Sequence, residues 1–173
     1  MKFVIMKDPN GDHDFFAFPN TVKLDDFLEC VRFIRNQTYG NWTRIHRSLV
    51  THGTLDSNFE INECPEEFVE EVKKLKEAFV YVGFKFITTR IETLKGETNV
   101  FEMFLFPSHI NHDCFGESIL QMDDYRQKIS AGFVRKGQRH TLECYGSSES
   151  LDLKCRVNED NVLIQLQLQD RLN

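Results

Sequence analysis

The chain contains none of the short motifs that mark the common nucleotide enzymes and zinc ribbons. It has no P-loop, no GxGxxG fingerprint, no GxSxG nucleophile elbow and no CxxC pair. It also has no internal repeat and no linker rich in Pro, Gly or Ser. These absences disfavour the common nucleotide-dependent enzymes and zinc ribbons, and they predict that residues 1–173 form one globular domain.

Few cysteines and only a short N-terminal apolar run are present. The five cysteines are an odd number with no paired spacing: Cys30, Cys64, Cys114, Cys144 and Cys155. Such a set argues against a disulfide framework and favours a reducing compartment. The N-terminal apolar run ends at Lys7, which makes it too short for a signal peptide or a membrane span. The sequence therefore predicts a cytoplasmic protein without a membrane partner.

Acidic residues are absent from residues 31–54, although the whole chain is acidic. The chain has 27 Asp and Glu against 21 Lys and Arg, giving a formal charge of −6. The segment also lacks lysine; it carries Tyr39, Trp42, His46 and His52 together with Arg32, Arg35, Arg44 and Arg47. A guanidinium group binds carboxylates and phosphates bidentately, so the segment predicts a site for an anionic group.

Within this segment, the candidate ligand-binding or partner-binding residues are Tyr39, Trp42, Arg44 and Arg47. Arg32 and Arg35 are expected on the solvent face of the first helix. The alternative is that the arginines balance carboxylates of the protein itself, which would contribute little for each exposed pair.

Hydrophobic periodicity predicts an α+β fold. Predicted strands span 2–6, 14–18, 84–93, 98–106, 132–136 and 139–145, and predicted helices span about 23–37, 65–83 and 117–129. Residues 41–55 fit either an irregular loop or a short helix. The strands at 84–93 and 98–106 carry apolar residues at both parities, which is typical of strands covered on both faces. We expect a mainly antiparallel sheet, with an N-terminal hairpin, a central hairpin and a C-terminal meander, and about three helices packed on one face.

The C-terminal meander is predicted from a period of two. Val162, Ile164, Leu166 and Leu168 alternate with Gln165, Gln167 and Gln169. This alternation indicates a strand with one wet face, paired with a strand that carries Leu151 and Leu153.

Four histidines are candidates for proton transfer in an alternative, enzymatic interpretation: His46, His52, His109 and His112. His46-Arg47-Ser48 and His52-Gly53-Thr54 each match half of the HxT/S pair of two-histidine phosphoesterases. That chemistry needs two such motifs facing each other across the phosphate. Neither triplet has a convincing partner motif elsewhere in the chain. At His140 the threonine follows directly, one position too early for the pattern.

Residues 109–114 contain possible metal ligands, namely His109, His112, Asp113 and Cys114. Their spacing matches no closed zinc site, and a catalytic zinc would need a further ligand from elsewhere. We therefore expect no cofactor and no tightly held zinc. In the alternative interpretation, in which metal binds, His140 or Cys144 would supply the distant ligand.

Two classes of function remain. The favoured one is a small acidic binding protein that recognises and neutralises a protein partner, in the manner of an immunity or inhibitor protein. The acidic charge disfavours nucleic acid and can steer a basic partner. The alternative is a hydrolase or transferase acting on a phosphate-bearing substrate through an Arg/His site. Neither class predicts an oligomeric state.

Overall fold

An eight-stranded antiparallel sheet forms the centre of the α+β fold in the computed structural model, which describes residues 1–38, 40–93, 98–138 and 141–170. The strands of the sheet are β1 (Lys2–Lys7), β2 (His13–Phe18), β5 (Ser48–Leu55), β6 (Ile61–Glu63), β7 (Phe84–Glu92), β8 (Asn99–Pro107), β9 (Arg126–Lys136) and β10 (Leu142–Tyr145). Two separate two-stranded ladders are β3 (Arg35–Thr38) with β4 (Asn41–Arg44), and β11 (Ser147–Ser148) with β12 (Leu153–Lys154). The described helices are α1 (Leu24–Val31), α2 (Val69–Val82), α3 (His112–Leu120) and α4 (Val157–Gln169).

The strand order is β10-β9-β7-β8-β2-β1-β5-β6. Strands from residues 2–63 therefore form one half of the sheet, and strands from residues 84–145 form the other. The two halves meet where β2 pairs with β8, at Ala17 opposite Leu105. Phe27 of α1 covers this junction, because its ring stacks 4.1 Å from that of Phe18 in β2 and 6.1 Å from that of Phe104 in β8.

Both hairpins predicted from the sequence are confirmed. In the turn between β1 and β2, a carboxylate oxygen of Asp8 accepts hydrogen bonds from the backbone N–H groups of Asn10 (2.8 Å) and Asp12 (2.9 Å). Gly11 takes the positive φ of 94° that this turn requires. β7 pairs with β8 over their full length. Helix α2, preceded by a short 3₁₀ turn at Glu66–Phe68, also lies within its predicted range and ends before Gly83.

The helices pack on both faces of the sheet, and the prediction of helices on one face is wrong. α1 and α3 cover one face with Phe27, Val31 and Phe115, whereas α2 and α4 cover the other with residues such as Val72 and Ile164. The physical reason is that the central strands bury side chains at both parities, as the sequence of β7 and β8 already indicated.

Three local assignments also differ from the sequence prediction. Residues 41–55 form β4 and β5, neither a loop nor a helix, because β5 pairs with the otherwise free side of β1. The first helix ends at Val31, and the chain continues into β3. The third helix lies earlier than 117–129, since Asp123 forms a turn with the N–H of Tyr125 (2.8 Å) and β9 begins at Arg126.

The C-terminal meander is the largest error of the sequence prediction, since residues 157–169 form helix α4. Its buried residues are Asp160, Ile164 and Leu168, at helical spacing, while Val162 and Leu166 are each 58% exposed. The glutamines do not form a wet face either. The Gln167 side chain accepts a hydrogen bond from the Met103 N–H (2.7 Å) and donates one to the Met103 carbonyl (3.0 Å), which anchors α4 to β8.

Candidate functional site

The arginine-rich segment folds into the β3–β4 hairpin, which lies outside the main sheet. Arg35 pairs directly opposite Arg44 in this ladder, and all four residues of β4 are exposed. Its base is fixed by the buried Ile34 and by a backbone hydrogen bond from Arg47 to the Arg32 carbonyl (2.8 Å). Strand β3 packs against α3, and residues of the hairpin border two cavities.

Arg47 is buried and paired inside the protein. Its Nε donates to Asp14 Oδ2 at 3.0 Å, and each side chain is 4% exposed. Its Nη1 donates to the carbonyl oxygens of Ile34 and Ile45, at 3.4 Å each. The guanidinium group of Arg47 is therefore engaged in holding the hairpin base, and we do not include it in the candidate binding surface.

Three other arginines share one cavity of about 630 Å³ on the α1 side of the hairpin, which we call the arginine cavity. Arg32, the exposed C-cap residue of α1, and Arg35 line it together with Arg44. Arg35 belongs to β3 and not, as expected, to the first helix. Its wall also includes Phe33, Asp25, Glu29, Glu117, Cys30 and Cys114. Among the described residues, none of these three guanidinium groups has a carboxylate within ion-pair distance.

Trp42 of the hairpin also borders a second cavity, of about 700 Å³, whose wall includes Phe133 and Tyr145. Trp42 is 48% exposed and Tyr145 is 39% exposed. The guanidinium carbon of Arg135 lies 4.8 Å from the centre of the Tyr145 ring, a cation–π contact. In the same cavity, Asp113 Oδ1 is buried and accepts no hydrogen bond from the described residues.

The four candidate histidines contact different parts of the molecule. His109 is 58% exposed and its Nε2 lies 3.0 Å from Asp14 Oδ1, on the carboxylate that also binds Arg47. His112 is buried between Phe rings, with its Nε2 2.9 Å from a backbone carbonyl, and burial lowers its pKa. His46 packs on Phe33 with ring centroids 5.2 Å apart, and His52 is exposed on β5.

The possible metal ligands at 109–114 are likewise not brought together at one site. Among the residues that the structure describes, no three His, Cys, Asp or Glu side chains are grouped to hold a metal ion. Cys144, the proposed distant ligand, is buried with its Sγ 3.9 Å from the Met103 sulfur. Two residues named from the sequence, Tyr39 and His140, lie outside the described residues.

The buried thiols are held in the protonated form. Burial, chiefly, raises the pKa of Cys30, Cys114 and Cys155 from 9.0 to about 11, and neighbouring carboxylates add to the effect. The pKa of Cys144 is also raised by burial. Because the thiolate is the nucleophile, these cysteines are poorly suited to nucleophilic catalysis at neutral pH.

We expect slow reaction of these thiols with a disulfide reagent at pH 8, and rapid reaction of all five cysteines after urea unfolding. The raised pKa values favour the folded state below pH 9, and this contribution is lost as the pH rises from 9 to about 11, because only the unfolded thiols ionise in that window. Reagent kinetics and melting curves over this range measure both effects. Immediate reaction of all five thiols in the folded protein at pH 8 would contradict this expectation.

Sequence reasoning missed the buried carboxylates that organise these surfaces. Asp14, Glu102 and Asp160 are each less than 5% exposed, and each binds an arginine: Arg47, Arg126 and Arg156, respectively. The burial of Asp14 could have been predicted from the sequence. Asp14 has the same strand parity as Phe16 and Phe18, so its side chain points to a buried face. The Arg156 partner of Asp160 lies only four residues away in the chain, whereas the Arg126 partner of Glu102 is 24 residues away.

No protein-family model, no curated protein and no solved structure matches this chain. Within the described residues, no helix is long and apolar enough to cross a membrane. The class that the structure itself defines is an α+β protein with a projecting Arg/Trp hairpin.

Proposed function

We propose that this chain is a small cytoplasmic binding protein that recognises and neutralises a protein partner through the β3–β4 hairpin. The contact area, here called the hairpin surface, comprises Arg32, Phe33, Arg35, Trp42, Arg44 and His46. The observation that carries the proposal is the exposure of two large aromatic side chains, Trp42 on the hairpin at 48% and Phe33 just before it at 46%. Trp, Tyr and Arg are the residue types that most often dominate the energy of protein interfaces.

Charge supports a protein partner over a nucleic acid. The formal charge of −6 repels an extended polyanion, while the hairpin surface itself is positive. A partner with a basic body would be attracted by the long-range field of the acidic chain. Its contact segment would then meet the arginines and aromatic rings at short range. This combination of long-range attraction and a local anchor fits an inhibitor or immunity protein.

The test uses a photoreactive amino acid at position 42 and, as a matched control, at position 81. Tyr81 is 93% exposed and lies on α2, away from the hairpin surface. In cells of the source organism, we expect position 42, and not position 81, to crosslink one defined protein. With that protein purified, Trp42→Ala and Arg44→Ala should each raise the Kd by about tenfold or more, and Tyr81→Ala by less than about twofold. Equal weakening by all three substitutions, or no crosslinked protein from position 42, would contradict the proposal.

A hydrolase or transferase acting on a phosphate-bearing substrate is the second candidate. It is favoured by the imidazole of His109, which is exposed yet bound to the buried Asp14 carboxylate at 3.0 Å. A carboxylate orients a histidine base in this way in many hydrolases. However, His109 does not line the arginine cavity. Hydrolysis of an aryl phosphate that is lost on His109→Gln would favour this candidate over the binding proposal.

A further inference from the structure

We infer that the arginine cavity binds a phosphate monoester, with Arg35 and Arg44 holding the phosphate oxygens and Arg32 adding a third guanidinium group. The first reason lies in the ladder of the β3–β4 hairpin. Arg35 and Arg44 are direct cross-strand partners, and like charges directly opposite each other destabilise a sheet. An anion between the two guanidinium groups converts this repulsion into two charge-assisted hydrogen-bonding contacts.

The second reason is how the arginines of this protein are distributed. Each of the other arginines that the structure describes has a carboxylate partner: Arg47, Arg90, Arg126, Arg135 and Arg156. The three described arginines without such a partner are the three that line one cavity. A protein with six more acidic than basic residues has carboxylates to spare, so charge balance alone does not account for this grouping.

The acidic residues in the cavity wall narrow the choice of ligand. Asp25 and Glu29 lie one turn apart on α1, and Glu117 is 3.8 Å from Lys128. They offset the charge of the three arginines and repel a long polyanion such as nucleic acid. A single phosphate is compact enough to reach between Arg35 and Arg44, where the local charge is positive. Its dianionic form offers several oxygens to the guanidinium forks.

The rim of the cavity favours an ester over inorganic phosphate. Phe33 lines the cavity and is 46% exposed, and the ring of His46 packs against it. A flat organic group attached to the phosphate would stack on Phe33. The volume of about 630 Å³ lies within the usual range of ligand sites and leaves room for this group. The phosphate monoester belongs either to a small molecule or to a phosphorylated side chain of the partner, and only the second source rests on the proposed function.

The experiment uses Trp42 as a built-in reporter, because it is the only tryptophan of the chain and lies two residues from Arg44. Phenyl phosphate is titrated into the purified protein while tryptophan emission is recorded, and its effect on the melting temperature is measured separately. We expect a saturable change of emission and a rise in melting temperature, with weaker binding at high salt. Inorganic phosphate should bind more weakly than phenyl phosphate.

The test variant is Arg35→Gln with Arg44→Gln, and the matched control is Arg135→Gln, whose side chain is 61% exposed on β9. The double variant should bind phenyl phosphate about thirtyfold more weakly or worse, and the control should bind within about twofold of the wild type. Without ligand, the double variant should melt no lower than the wild type because the repulsion is removed, so loss of binding cannot be ascribed to misfolding. Lys at both positions should restore only part of the affinity.

A phosphotyrosine peptide and its unphosphorylated form distinguish the two sources. Binding of the phosphopeptide far more tightly than phenyl phosphate would assign the phosphate to a protein partner, and equal affinities would assign it to a small molecule. An unchanged emission and melting temperature in phenyl phosphate, or equal responses of the double variant and the wild type, would overturn the inference. A negative phenyl phosphate result does not prevent crosslinking of a protein from position 42. Conversely, a failed crosslinking experiment does not change the phenyl phosphate result. The two proposals can therefore be refuted independently.

Discussion

Replacing Arg47 by alanine is expected to lower the free energy of unfolding by about 3–5 kcal/mol. The substitution leaves the Asp14 carboxylate, of which 4% is exposed, without the guanidinium group that binds it at 3.0 Å. It also removes the donor that the carbonyl oxygens of Ile34 and Ile45 share. His109 still contacts Asp14 but lies at the surface, where solvent screens its charge. Urea unfolding at pH 7, followed by circular dichroism, measures the loss.

Arg44→Ala is the matched control, since it removes the same kind of side chain from an exposed position three residues away, on β4. Its effect on stability should stay within about 0.5 kcal/mol. Combining Arg47→Ala with Asp14→Asn should recover part of the stability, because the uncompensated charge is then removed. If Arg47→Ala and Arg44→Ala were equally mild, the ion pair would contribute little to stability and our account of the hairpin base would be wrong.

Asp160→Ala is expected to destabilise the protein by a similar amount, about 3–5 kcal/mol. Asp160 is fully buried, and its carboxylate accepts hydrogen bonds from the hydroxyl groups of Thr88 (3.1 Å) and Ser130 (2.9 Å). It also accepts bonds from the backbone N–H (2.7 Å) and the guanidinium group (2.9 Å) of Arg156. One side chain thus joins the start of α4 to β7 and β9, and alanine leaves these donors unpaired in the interior.

Glu159→Ala provides the comparison, because Glu159 is the exposed neighbour in the same turn of α4. It should change the stability by less than about 0.5 kcal/mol. Hydrogen exchange should show that Asp160→Ala weakens the protection of the α4 amides most strongly. Similar unfolding curves for the two variants would show that the network around Asp160 is not what holds α4 to the sheet.

The sequence predicted an element correctly where the residues that determine it lie close together in the chain. Pro65 and Gly83 bracket the helical region that contains α2, and the Asn10-Gly11 turn specifies the first hairpin. The both-faced burial of β7 and β8 was also visible in their apolar residues. Burial on both faces of these strands is inconsistent with the predicted packing of all helices on one face. In the structure, helices cover both faces of the sheet.

The sequence was misleading where tertiary partners decide the structure. In residues 157–169, alternation of apolar residues and glutamines predicts a strand, but the same residues also place Ile164 and Leu168 one helical turn apart. The buried Asp160 selects the helix, and its partners Thr88 and Ser130 lie far away in the chain. The i,i+4 pair of Arg156 and Asp160 is a local signal that fits a helix, but the residues that bury Asp160 are not local.

The sequence identified the candidate segment but not the surroundings of each of its arginines, and whether the segment is a binding site stays a prediction. The charge segregation at residues 31–54 identified the arginines as a group. Which of them is buried depends on Asp14, and which of them share a cavity depends on how β3 packs against α3. Both depend on tertiary structure, so the sequence did not show that Arg47 is buried or that Arg32 lines the cavity.

The junction between β2 and β8 also bears on how the chain reaches this fold. Within each half of the sheet, pairing strands are joined by at most about 50 residues, whereas Ala17 and Leu105 are separated by 88 positions. The largest entropic cost of loop closure in the sheet therefore falls on the docking of its two halves, residues 2–63 and residues 84–145. Phe27 belongs to the first half by sequence and contacts the second at Phe104. Its ring therefore forms one of the non-local contacts that offset the cost of docking.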